Sequence, residues 1–91
     1  MTPSLLDAIS RALERMRDSP ASVRFSDLKR VCDFHFGTAR QSGTSHLVYK
    51  MPWTGDPRVN IQNAGGKAKA YQVRQVLMAV DRLDREQTDT K

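Results

Sequence analysis

The sequence predicts an α+β domain: a three-stranded antiparallel sheet with helices packed on one face, in the order α-α-β-β-β-α. Three observations predict it. Apolar residues recur at helical spacing before Gly37 and after Lys69, the spacing between them changes to an alternation of two, and clusters of turn-forming residues separate the alternating runs. With 91 residues there is room for one domain and one small core.

Each element follows from local signals. Thr2-Pro3 offers a capping hydroxyl and a proline suited to a first helical position, and Leu5, Leu6, Ile9, Leu13 and Met16 then form a helical stripe ending near Asp18-Ser19-Pro20. A second helix is expected behind a Ser26 cap, with Leu28, Val31, Cys32 and Phe36 as its apolar side and Gly37 as its stop. Thr38 to Ser42 reads as a strand, Ser42-Gly43-Thr44-Ser45 as a turn, and His46 to Met51 as a second strand. Thr54-Gly55-Asp56-Pro57 is a further turn, and Arg58-Val59-Asn60-Ile61-Gln62 alternates as a third strand. Asn63-Ala64-Gly65-Gly66 is expected to break the sheet. A last helix then runs from about Lys69 toward Asp84 on Ala70, Val73, Val76, Leu77, Val80 and Leu83. Residues 1–20 thus form an extra N-terminal helix, 25–83 the core of a single domain, and 86–91 a polar tail.

Composition narrows the function. No apolar run approaches the roughly 18 residues of a membrane span, and the N-terminus lacks the basic-then-apolar order of a signal peptide, so a soluble cytoplasmic protein without a membrane partner is expected. Cys32 is the only cysteine, which excludes an internal disulfide and any multi-cysteine zinc site. The net charge of +5 is concentrated: from Thr38 to Arg74 six basic residues face Asp56 alone, while the flanks cancel. That segment is expected to meet a polyanion.

Period two sorts the strand residues. Leu47, Tyr49, Met51, Val59 and Ile61 should face the helices, leaving His46, Val48, Lys50, Arg58, Asn60 and Gln62 on the opposite, solvent-facing side. A neutral imidazole there can accept the proton of a ribose 2′-hydroxyl, and nearby cations can hold the phosphate and favour the neutral ring. RNA carries that internal nucleophile and DNA does not. Taken alone, a histidine at a strand start is more often structural than catalytic.

Three runs shift that balance: G-T-S-H-L-V-Y-K-M-P from Gly43 to Pro52, G-D-P-R-V-N-I-Q from Gly55 to Gln62, and G-K-A-K-A-Y-Q-V-R-Q-V-L from Gly66 to Leu77. Together they resemble the HicA family of bacterial toxins, messenger-RNA ribonucleases with a double-stranded-RNA-binding-domain-like (dsRBD-like) fold. The resemblance spans roughly Phe25 to Leu83 and implies a metal-independent endoribonuclease with His46 as its catalytic histidine. It further implies two partners, messenger RNA and a HicB-like antitoxin that covers the active face. On the residues themselves, Ser45, Lys50, Arg58, Lys67, Lys69 and Arg74 are the candidate substrate contacts, Gly43 and Thr44 shape the loop, and no cofactor is expected. Thr44 stands between Gly43 and Ser45 where the family pattern has glycine directly before serine. The first helix lies ahead of the usual minimal domain.

The remaining features each admit a plainer chemical role. Gly65-Gly66-Lys67-Ala68-Lys69 suits either phosphate contact at a helix start or plain turn duty; it lacks the upstream glycine and the Ser or Thr of a P-loop. Cys32 and His35 have a metal-sharing spacing but too few further ligands in the chain, so Cys32 reads as core and His35 as surface. Trp53 can stack on a base, close the core or meet a partner. A non-catalytic RNA-binding module using the same basic face, or a module docking an acidic protein, are the alternative functions.

Overall fold

The computed structural model describes residues 4–42, 46–53 and 57–89. Its helices are α1 (Leu5–Asp18), α2 (Phe25–Phe36) and α3 (Ala70–Asp89), with a single 3₁₀ turn at Pro20–Ser22. The strands β1 (Arg40–Ser42), β2 (His46–Lys50), β3 (Arg58–Ala64) and β4 (Lys67–Ala68) form one antiparallel sheet in the order β1-β2-β3-β4. The α+β class and the helix-helix-strands-helix order are as the sequence predicts; the fourth strand is an addition.

That strand arises where a sheet breaker was expected. Gly65 and Gly66 adopt φ values of 64° and 89°, the two positive angles that a two-residue hairpin turn requires. Ala64 therefore pairs with Lys67 and Asn63 with Ala68. The Asn63 side-chain oxygen accepts the Gly66 N–H at 2.6 Å and fixes the turn.

β4 also explains the start of α2. The Phe25 N–H donates to the Gly66 carbonyl at 3.0 Å and the Ala68 N–H to the Val23 carbonyl at 2.9 Å. The helix consequently begins at Phe25 with Arg24 in the cap position, and the sheet takes over part of the work expected of Ser26. At the far end Gly37, with φ 88°, stops the helix as expected.

α1 is capped by Ser4, whose side-chain oxygen accepts the Asp7 N–H at 3.2 Å; the expected Thr2-Pro3 start lies outside the described residues. Ile9, Ala12 and Met16 are buried, whereas Leu5 and Leu6 are about 60% exposed because the first turn overhangs the core. α2 and α3 lie against the sheet, and α1 packs on both of those helices. The Arg17 guanidinium grips the Asp81 carboxylate of α3 with bonds of 2.9 and 3.3 Å, holding that carboxyl below its usual range. α3 continues to Asp89, beyond the expected polar tail at 86, since Arg85-Glu86-Gln87 are good helix formers. No helix among the described residues is long and apolar enough to cross a membrane.

The core joins all these layers. Met16, Val23, Leu28, Val31, Cys32, Tyr49, Ile61, Val73, Val76 and Val80 are sealed from solvent. Burial pushes the Cys32 thiol well up, so it stays protonated and acts as packing. The Tyr49 hydroxyl, also shifted up by burial, donates to Asp33 at 2.6 Å.

Gln72 is the one buried polar residue among the described side chains. Its Oε1 accepts the Gln62 backbone N–H at 2.8 Å, and its Nε2 donates to the Tyr71 hydroxyl at 3.3 Å. Replacing Gln72 by Leu orphans that backbone donor and is expected to lower stability by about 1–3 kcal/mol, which urea denaturation would measure.

Candidate nucleic-acid interface

The strand register assembles the face. β2 and β3 pair His46 with Gln62, Val48 with Asn60 and Lys50 with Arg58, while Leu47, Tyr49 and Val59, Ile61 occupy the alternate positions. The second set is buried or half-buried; His46, Lys50, Arg58 and Asn60 are exposed. The sorting expected from period two holds at His46, Tyr49, Lys50, Arg58, Val59, Asn60 and Ile61, while Leu47, Val48 and Gln62 are all half-buried.

β1 widens the face by pairing Arg40 with Val48 and Ser42 with His46. Arg40 was not among the expected contact residues. Its position follows from counting two residues back from Ser42 along the same strand, so the alternation itself was the available signal. On the other side, Ala64 is two residues beyond Gln62, and its partner Lys67 shares that side of the sheet.

Distances along the strands separate the cations into two groups. Four residues part His46 from Lys50, so Lys50 and its partner Arg58 lie about 14 Å along the sheet and suit flanking phosphates rather than the one next to the ring. Gln62 stands directly across from His46; Arg40 is one strand over and two residues along, and Lys67 is two strands over and two residues along. Lys69 sits between β4 and α3, where its carbonyl accepts the first helical N–H groups at 3.0 Å. Arg74 is exposed on α3, in the helical layer, and the structure does not bring it onto the His46 face. Gly43, Thr44 and Ser45 lie outside the described residues.

The remaining candidates resolve into structural roles. The glycine pair before Lys67 makes a hairpin, and α3 begins only at Ala70, so these residues do not form a loop feeding a helix start. Trp53 is half-buried with the Arg82 guanidinium carbon 4.4 Å from its ring centroid, which leaves one indole face occupied. Among the described residues no three His, Cys, Asp or Glu side chains come together as metal ligands.

His35 corrects its surface assignment. The residue is partly buried, its ring meets Phe34 edge-on at 5.1 Å, and its Nε2 is buried without a hydrogen-bond partner among the described residues. Burial pushes its pKa below the usual 6.5, with Asp84 pulling the other way. The folded state thus takes up this proton less readily than the unfolded chain, so stability present above pH 6.5 falls as the pH drops below it. The melting temperature of the native protein is expected to fall more between pH 7.5 and pH 5.5 than that of His35→Gln, about one unit either side of the ordinary histidine value.

The chain has no match among protein-family profiles, curated proteins or solved structures.

Proposed function

We propose that the chain is a metal-independent endoribonuclease of the HicA toxin type, working on messenger RNA in the cytoplasm and restrained by a HicB-like antitoxin over the sheet. One observation carries the reading. An exposed histidine stands beside Gln62, and cations from three neighbouring strands share its solvent-facing side. In such a pair the facing side chains are as close as antiparallel strands allow.

In this scheme His46 accepts the proton of a 2′-hydroxyl as that oxygen bonds to the adjacent phosphorus. The P–O5′ bond breaks, its electron pair stays on O5′, and O5′ takes a proton from His46 or water. The products are a 2′,3′-cyclic phosphate and a free 5′-hydroxyl. Arg40 offsets the charge building on the phosphate, while Lys50, Arg58 and Lys67 hold the strand on either side of the cut.

A non-catalytic RNA-binding module is the second reading. It is favoured by the presence of one imidazole on this face, with no further ionisable acid–base pair beside it among the described residues. Induced expression in a bacterial host, with growth and total messenger RNA followed together, separates the two. Arrest with message loss from the native chain but not from His46→Ala is the expected result. Equal effects from both, or none from either, would leave binding as the function.

A further inference from the structure

The hydrogen-bond phase of the sheet exposes a second surface, on the edge of β3. The Met51 N–H donates to the Pro57 carbonyl at 3.0 Å, which makes those two a hydrogen-bonded pair. By the antiparallel alternation, Tyr49 with Val59 and Leu47 with Ile61 are bonded pairs too, whereas Lys50 with Arg58, Val48 with Asn60 and His46 with Gln62 are not. The backbone N–H and C=O groups of Arg58, Asn60 and Gln62 therefore point away from β2. The bond from the Gln62 N–H to Gln72 confirms this phase from the other side.

β4 covers only Asn63 and Ala64 of that edge, and Gln72 covers the Gln62 donor. Among the described residues nothing bonds to the outward N–H and C=O of Asn60. A groove of about 910 Å³ runs alongside, walled by Met51, Trp53 and Asn60 on one side and by Met78, Ala79 and Arg82 of α3 on the other. Met78 is 71% exposed, the most exposed large apolar side chain described. An open strand edge with an apolar floor is what an extended peptide recognises.

The geometry points to this edge as the docking site for an extended segment of a partner protein, apolar at alternate positions and acidic between them, which adds a strand to β3. The outward amide and carbonyl require an extended main chain opposite them. The Met78 and Trp53 surfaces take the apolar side chains; Arg58, Arg82 and Arg85 share the groove with Asp81 and Asp84, but Asp81 is already paired with Arg17, so the basic excess favours acidic neighbours. The site does not depend on the nuclease reading, because its outward backbone groups lie along the sheet edge and only the Arg58 side chain is common to the groove and the His46 face.

A displayed library of eight-residue peptides with alternating apolar and acidic positions supplies the probe, used with the isotope-labelled full chain. Expected are an enriched peptide that shifts the Asn60 amide resonance and slows its hydrogen exchange, and weakening of about tenfold on N-methylation of its central peptide bond. Met78→Glu, on an exposed side chain, should weaken binding by a similar factor, and His46→Ala should leave it unchanged. The proposal is overturned if no peptide is enriched, or if the bound peptide leaves the Asn60 amide unmoved or tolerates N-methylation. Self-association of the free chain through Asn60, or displacement of the peptide by an RNA oligonucleotide that occupies the groove itself, would overturn it equally.

Discussion

His46→Ala is expected to slow RNA strand scission by about 10²–10⁴-fold, the usual contribution of a positioned general acid or base, while leaving RNA affinity and melting temperature unchanged. The side chain is exposed at the start of β2, and no described core contact depends on it, so the substitution removes the imidazole without loosening the fold. Affinity should persist because Arg40, Lys50, Arg58 and Lys67 remain to neutralise phosphates. Two controls make the result specific. A substrate with a 2′-deoxy residue at the cut position should resist the native chain, and a chelator should leave its rate unaffected. Equal scission by the native chain and the variant would remove His46 from the chemistry altogether.

Met16→Ala is expected to destabilise the domain by about 2–5 kcal/mol, the range for emptying a large buried side chain. For a chain of this length total stability is on the order of 5–15 kcal/mol, so the loss is a large fraction of the whole. Met16 is fully buried on α1, where Ile9 and Ala12 join it against α2 and α3. Arg17→Ala provides the contrast: it removes a bidentate pair with Asp81 whose side chains are 47% and 51% exposed, and exposed pairs contribute about 1 kcal/mol or less. Thermal and urea unfolding of both variants would test this order of effects. Deleting residues 1–20 should abolish the cooperative transition, which makes the N-terminal helix a structural part of the domain rather than an appendage.

The candidate face is legible in the sequence because one rule, alternation along a strand, governs it. Once His46 to Met51 and Arg58 to Gln62 were assigned as strands, the sides of Tyr49, Lys50, Val59 and Asn60 followed without tertiary information. What the sequence did not reveal depends on distant contacts. A two-residue strand has no period to detect, and Gly65-Gly66 serves equally to end a sheet or to reverse it. Gln72 is a polar residue among the helical positions of α3, and its burial comes from a donor on β3 that only the assembled sheet places there. Ser26 has the chemistry of a helix cap, but the Gly66 carbonyl takes the Phe25 N–H, so the helix begins two residues earlier, with Arg24 at the cap. Arg74 belongs to the basic segment by sequence and to the helical layer in space.

The bond between the Phe25 N–H and the Gly66 carbonyl ties a local element to the topology. The first turn of α2 lacks a side-chain cap of its own and is completed by a hairpin from the other end of the core segment. The start of α2 and the β3–β4 hairpin are thus held together by a contact between segments distant in sequence, the class of pairing that raises contact order. Through it α2 is tied to the sheet that bears His46.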